Sequence, residues 1–151
     1  MNIELRKFKE EDKEDFIHLI LDKMASPLHV YDHPFPIDRK SLEEIFAFFL
    51  NSDEFYAVDF QKKCIGYVAL NKTENENVRN LGFCLHTKYQ RKGLGTKAVE
   101  KAIHMAKEEL EAKKLLAGTA DSNIPAVKVL KHFGFVKIDS AICAFCRDAD
   151  D

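Results

Sequence analysis

Glycine is scarce in this chain, six residues in 151, and proline is scarcer, with four. No Gly/Ser/Pro linker divides the sequence, and no internal repeat or low-complexity stretch interrupts it. A chain of 151 residues holds one sizeable core but not two comfortable ones, so a single domain over residues 1–151 is expected. Long apolar runs are missing: none approaches the roughly 20 residues of a membrane span. The opening stretch MNIELRKFKEEDKEDF has no apolar signal region, so a cytoplasmic protein without a membrane partner is expected. A surplus of either charge is missing too, with 23 Lys and Arg against 25 Asp and Glu, a net charge of −2. Domains that bind nucleic acid in general are basic, so no such partner is expected, although Arg91-Lys92 leaves room for a local basic patch. Cysteines number four (Cys64, Cys84, Cys143 and Cys146), and each lies in an apolar, strand-like stretch. Without a secretory signal they read as buried thiols of a reducing compartment. Cys143-x-x-Cys146 has no second pair at ligand spacing, so no metal site is expected.

What is present is a globular balance, 46% hydrophobic and 32% charged. IELRKF reads as a first strand. The acidic cluster KEEDKED then leads into Phe16, Leu19, Ile20 and Met24, spaced for a helix whose first turn favours carboxylates. SPLHVYDHPFPI, with three prolines, is a loop. Ser41 and Glu44 form a capping-box pattern, with Leu42, Ile45, Phe46 and Phe49 on the buried side of the helix it opens. EFYAVDF, KCIGYVAL and LGFCLH are three β-rich runs. From Thr96 the period is helical, with Ala98, Val99, Ala102, Ile103, Ala106 and Leu110 on one face. KLLAGTA is a short strand, NIPAVKVLKHFG a helix with Pro125 near its start, and FVKIDSAICAFCR one bent strand or a short hairpin. The order β α α β β β α β α β predicts an α/β fold with a mixed sheet. An antiparallel meander precedes parallel pairing, and helices cover both faces.

The stretch YQRKGLGTKA concentrates two of the six glycines between a strand ending near His86 and a helix starting near Thr96. Such a turn leaves backbone N–H groups unpaired at the positive end of a helix, an arrangement that favours an anion. Gly93 and Gly95 admit close approach of a phosphate, and Arg91 and Lys92 add charge at the rim. A Walker loop needs a different spacing and a Lys-Ser/Thr pair. A dinucleotide fingerprint matches loosely at Gly93-x-Gly95-x-x-Ala98, but its acidic residue should follow about 20 residues on, and Asp121 comes late.

A third motif fits the surroundings as well. Gln90-Arg91-Lys92-Gly93-Leu94-Gly95 has the form Q/R-x-x-G-x-G/A, and NIPAVKVLKHFGF, from Asn123 to Phe135, is an Asn-led helix ending in Gly-Phe. Together these blocks resemble the GNAT N-acetyltransferase superfamily, over roughly residues 3 to 140. In look they are closest to the branch that acetylates ribosomal proteins and other N-terminal amines, a branch that also contains small-molecule acetyltransferases. The resemblance implies a single-domain GNAT-like fold with acetyl-CoA bound where two parallel strands, LGFCLH and KLLAGTA, splay apart. It further implies that backbone groups of Phe83, Leu85 and Thr87 pair with the pantetheine arm. A backbone N–H at Leu85 would polarise the thioester carbonyl. The amides of Arg91, Lys92, Gly93, Leu94, Gly95 and Thr96, after Gln90, would hold the pyrophosphate. Asn123 would bond the pantetheine, although it also suits an ordinary helix cap. Lys128 and Lys131 would lie beside the adenosine phosphate.

The implied reaction is attack of a primary amine on the thioester, which needs a base for the ammonium and an acid for the thiolate. Here the chain departs from the resemblance. Leu130 stands where many members have Tyr, Val127 where the N-terminal branch often has Ser, and Asn80 where a Glu is frequent. Substitute candidates are His86, at the strand end, and His29, Tyr31, Asp32 and His33, in the proline-rich loop that borders the acceptor in the family. Only about sixteen residues follow Phe135. That implies an open acceptor site, one completed by a second protomer in a homodimer, or another acceptor mode. Two alternatives stand beside the enzyme: a non-catalytic acyl-CoA-binding module on the same fold, and a dinucleotide-binding protein.

Overall fold

The computed structural model describes residues 2–26, 34–119, 123–140 and 144–149. In chain order its elements are β1 (Ile3–Arg6), α1 (Lys13–Ala25), α2 (Arg39–Asn51), β2 (Phe55–Phe60), β3 (Lys63–Lys72) and β4 (Val78–Leu85). Then follow α3 (Leu94–Glu108), β5 (Lys114–Gly118), α4 (Ile124–His132), β6 (Val136–Asp139) and β7 (Ala144–Asp148). Seven strands form one sheet in the order β1-β2-β3-β4-β5-β7-β6. β1 to β4 are an antiparallel meander, and β4 and β5 are parallel.

Periodicity assigns the helices to opposite faces. On α1, Phe16, Ile17, Leu19 and Ile20 are buried, and on α2 Leu42, Phe46 and Phe49 recur at helical spacing. They close a core with Phe8, whose ring meets Phe16 edge-on at 5.8 Å and Phe46 at 6.2 Å. On the other face α3 buries Leu94, Ala98, Val99, Ala102, Ile103 and Ala106 against β-strand residues such as Val68, Leu70 and Leu115. α4 contributes Leu130, which is 1% exposed.

Four sequence expectations change. Asp38, not Ser41, caps α2: its carboxylate accepts the Ser41 N–H at 2.9 Å, so the helix begins at Arg39. β4 starts at Val78 and takes in Arg79 and Asn80, because β3 runs to Lys72 and supplies partners that far. The C-terminal stretch is a hairpin, and its second arm enters between β5 and β6. β5 and β7 therefore pair antiparallel, and the parallel pairing expected after α4 does not occur there. The cysteines divide: Cys64 is buried, Cys84 and Cys146 are half-buried, and Cys143 lies outside the described residues.

One ion network ties the sheet edge to the start of α1. Arg6 donates to Asp59 at 2.7 Å and to both oxygens of Asp12 at 2.8 and 2.9 Å. Burial alone would raise the Asp12 carboxyl, but bonds from Arg6 and from the Lys9 N–H outweigh it and hold the group below its ordinary value.

Candidate active site

The site begins where β4 and β5 part. Their pairing runs from Val78↔Lys114 to Leu81↔Ala117 and stops, yet β4 continues for four more residues. On its other side β4 stays paired with β3 as far as Gly66↔Leu85. Gly66 explains that asymmetry: a Cβ there would stand 2.2 Å from the Cys84 carbonyl oxygen, so only glycine lets β3 follow β4 to its end. His86 donates its N–H to Ile65 in β3 at 2.9 Å. Backbone groups alternate sides along a strand, so those of Leu85 and Phe83 turn the opposite way, into the opening beside β5. The side chains of Phe83 and Leu85 pack against the α3-side core, so their backbone, not their side chains, faces that opening.

Beyond β4 the chain makes a tight turn. His86 Nδ1 accepts the Lys88 N–H at 3.1 Å, Tyr89 donates to the His86 carbonyl at 2.9 Å, and Gln90 donates its N–H to Thr87 at 3.2 Å. Gln90 Nε2 reaches back to the Leu85 carbonyl at 3.1 Å. Arg91 (φ 63°) and Gly93 (φ 78°) then take left-handed conformations. The first helical bond of α3 is Lys97 N–H to Gly93 C=O, at 3.2 Å. The N–H groups of Arg91 to Thr96 thus have no backbone acceptor among the described residues, and a Cβ at Gly93 would meet nothing within 4 Å. This is a run of donors on a helix N-terminus, an arrangement that favours an anion.

Most of the predicted residues converge here. Phe83, Leu85, Gln90, Arg91, Lys92, Gly93, Leu94, Gly95 and Thr96 line the strand end and the turn that follows it. Leu94 is 1% exposed, so only its N–H is presented. Asn123 precedes α4 and makes no side-chain cap bond, so the plain capping alternative does not use its amide. Lys128 and Lys131 are exposed on α4.

Two of the expected residues already have partners within the protein. Thr87 donates both its N–H and its hydroxyl to Asp22, at 2.9 and 2.7 Å. Its carbonyl already accepts from Gln90. His86 is held by the turn: with the Nδ1 lone pair taken by Lys88, the neutral ring carries its proton on Nε2, 3.6 Å from Asp22. A ring so engaged has no lone pair for an amine proton. His29, Tyr31, Asp32 and His33 lie outside the described residues. Asn80 is exposed on β4 and Leu130 is core, so neither offers a group for proton transfer.

The residue that sequence reasoning missed is Asp22. It lies on α1, 65 positions from Thr87, and no local pattern marks it. The surface depression lined by Ala47, Phe48 and Asn51 to Glu54, and that between β1 and α3 at Leu5 and His104, share no residue with the opening. Among the described residues no helix is long and apolar enough to cross a membrane.

A splayed parallel pair followed by a donor-rich turn on a helix N-terminus suits an extended ligand that carries an anion. Residues 2–136 match the acetyltransferase (GNAT) domain family, and the chain belongs to it. Acetyl-CoA is the cofactor of that family. The chain is 25% identical over 85 residues to the uncharacterized N-acetyltransferase YnaD of Bacillus subtilis (strain 168), covering 56% of this chain and half the length of that relative. The fold superposes on a GNAT-family acetyltransferase from Bacillus anthracis with a TM-score of 0.84 at 15% identity, covering 100% of this chain and 97% of the other. It matches spermidine N-acetyltransferase from Vibrio cholerae, solved with CoA and spermine, at 0.76 and 18% identity, covering 98% and 96%. It matches RimL, a ribosomal L7/L12 alpha-N-protein acetyltransferase solved with coenzyme A, at 0.77 and 14% identity, covering 98% and 94%.

Proposed function

We propose that this protein transfers an acetyl group from acetyl-CoA to a primary amine, most readily an α-amine of a peptide or a small molecule. The observation that carries the reading is the splay after Leu81↔Ala117, which leads directly into the unpaired amides of Arg91 to Thr96. In this reading those amides hold the pyrophosphate, with Gly93 leaving room for it and Arg91 and Lys92 at the rim. The backbone of Phe83 and Leu85 pairs with the pantetheine arm, the Asn123 amide bonds it further along, and Lys128 and Lys131 serve the adenosine phosphate. Bound acetyl-CoA supplies an activated carbonyl with a good leaving group.

The Leu85 N–H would favour the charge that develops on that carbonyl oxygen. The amine lone pair attacks the carbonyl carbon, an N–C bond forms, the C–S bond breaks, and the thiolate leaves. The nitrogen must have lost one ammonium proton beforehand and loses a second afterwards. With no acid or base at Asn80 or Leu130, this reading gives proton transfer to water, with His29, Tyr31, Asp32 and His33 as the other candidates, and the fraction of amine already neutral then governs the rate. At neutral pH that fraction is roughly a hundredfold or more greater for an α-amine (about 7.7–8.0) than for a lysine amine (about 10.4). RimL acts on protein α-amines and the Vibrio enzyme on a polyamine, which supports an amine acceptor without choosing between them.

The test is CoA release at pH 7 from two peptides, one with a free N-terminus and no lysine, the other blocked at the N-terminus with one lysine. Faster turnover of the free N-terminus is expected, and faster acetylation of the lysine would overturn the preference. The exposed Asn80 and core Leu130 favour one second reading, a CoA-binding module without turnover. Tight CoA binding with no thiol release across peptides, polyamines and aminoglycosides would establish it.

A further inference from the structure

Among the described residues, the polar bonds of the turn at residues 86–90 close on the turn itself, on the end of β4 or, through the His86 N–H, on Ile65 of β3. Asp22 is the partner that comes from outside the sheet. Its Oδ2 accepts the Thr87 N–H at 2.9 Å, its Oδ1 accepts the Thr87 hydroxyl at 2.7 Å, and Oδ1 lies 3.6 Å from His86 Nε2. These contacts join α1 to the turn across 65 positions of sequence. The amides of Arg91 to Thr96 follow directly, and the left-handed Arg91 and Gly93 fix their directions only if the preceding turn is itself held.

We propose that Asp22 is the positioning residue of the donor site, orienting the pyrophosphate-binding amides through Thr87 without touching the ligand. The inference rests on the reading of those amides as the CoA pyrophosphate site. Its charge makes the idea testable by sign. A carboxylate this near an anion site repels a pyrophosphate, so charge alone predicts that removing it tightens binding. Positioning predicts the opposite. The Asp22 oxygens are both occupied and the side chain is only 19% exposed, which confines the carboxylate to its role as an acceptor.

Coenzyme A dissociation constants from calorimetry at 25 °C, with Michaelis constants for acetyl-CoA, decide between them. Asp22→Ala, which removes both acceptors of Thr87, is expected to weaken coenzyme A about tenfold and to raise the acetyl-CoA Michaelis constant in step, with kcat little changed. Thr87→Val, which loses only the hydroxyl contact, is expected to weaken binding severalfold and Thr87→Ser to retain it. The double variant Asp22→Ala/Thr87→Val should bind no worse than Asp22→Ala alone, because the hydroxyl contact is already lost in the single variant. Thr87 is exposed, so its variants decide the matter if Asp22→Ala fails to fold. Unchanged or tighter coenzyme A binding by folded Asp22→Ala, or a strictly additive double variant, overturns the proposal. Absence of coenzyme A binding by the unsubstituted protein overturns the donor-site reading itself, and this inference with it.

Discussion

Gly93 and Gly95 stand in one motif, but the backbone asks different things of them. Gly93 is left-handed (φ 78°) with open space around its absent side chain, whereas Gly95 sits in the first turn of α3, where a Cβ would lie 3.4 Å from Leu85 Cδ1. Gly93→Ala is therefore expected to cost about 1–2 kcal/mol of stability from backbone strain. Gly95→Ala is expected to be neutral or slightly stabilising, since alanine is the better helix residue. Urea unfolding of the two variants checks the contrast, and equal losses would show that the motif is not strained at one position. The sequence marked both glycines as permissive. It did not distinguish them, because φ follows from how the turn closes on Leu85 and Asp22. Gly66 was passed over for the same reason: nothing near it in sequence reveals the Cys84 carbonyl 2.2 Å from where its Cβ would be.

At the scale of elements, the helices were legible because their apolar residues repeat every three or four positions, and α1, α2 and α3 bury most of those residues, with Met24 and Ile45 half-buried and Leu110 past the end of α3. Strand pairing was less so. The meander followed from short turns between strands, but the insertion of β7 beside β5 depends on the hairpin folding back into the sheet. The network of Arg6, Asp12 and Asp59 joins three elements and supports a prediction at this level. Asp12 is 4% exposed, and Asp12→Asn leaves Arg6 half-compensated, which is expected to cost about 2–3 kcal/mol at pH 7. Because the folded-state carboxyl is held below its ordinary value of about 3.9, its contribution is complete above that pH. It is lost as pH falls through the lower folded-state value. The stability gap between the native protein and the variant should therefore close as the pH of a urea titration falls from 5 to below 3. A gap that persists at low pH would assign the loss to packing.

At the scale of the whole molecule, the proposed donor site would draw on the end of β4, the turn after it, α1 through Asp22, and the start of α4. A ligand that bridges these elements binds only the folded state, so it stabilises by mass action. Coenzyme A at about a hundred times its dissociation constant is expected to add about 2.7 kcal/mol, read as a rise in Tm, while NAD at the same concentration adds nothing. Protection by NAD and none by coenzyme A would favour the dinucleotide alternative over the acetyltransferase fold's usual donor.

By itself the sequence determined where the helices and most strands lie, that Gly93 and Gly95 open a helix, and, through its two motif blocks, which family the chain belongs to. These are local properties: periodicity, capping residues and glycine spacing act over a few residues, and a linear reading records them. Only the tertiary structure decided that β4 outruns β5, that the backbone of Phe83 and Leu85 faces the gap, that Thr87 is held by Asp22, and that His86 accepts from the turn itself. All but the last depend on contacts between residues tens of positions apart, set by which surfaces the packed sheet and helices bring together. No local pattern encodes such a meeting.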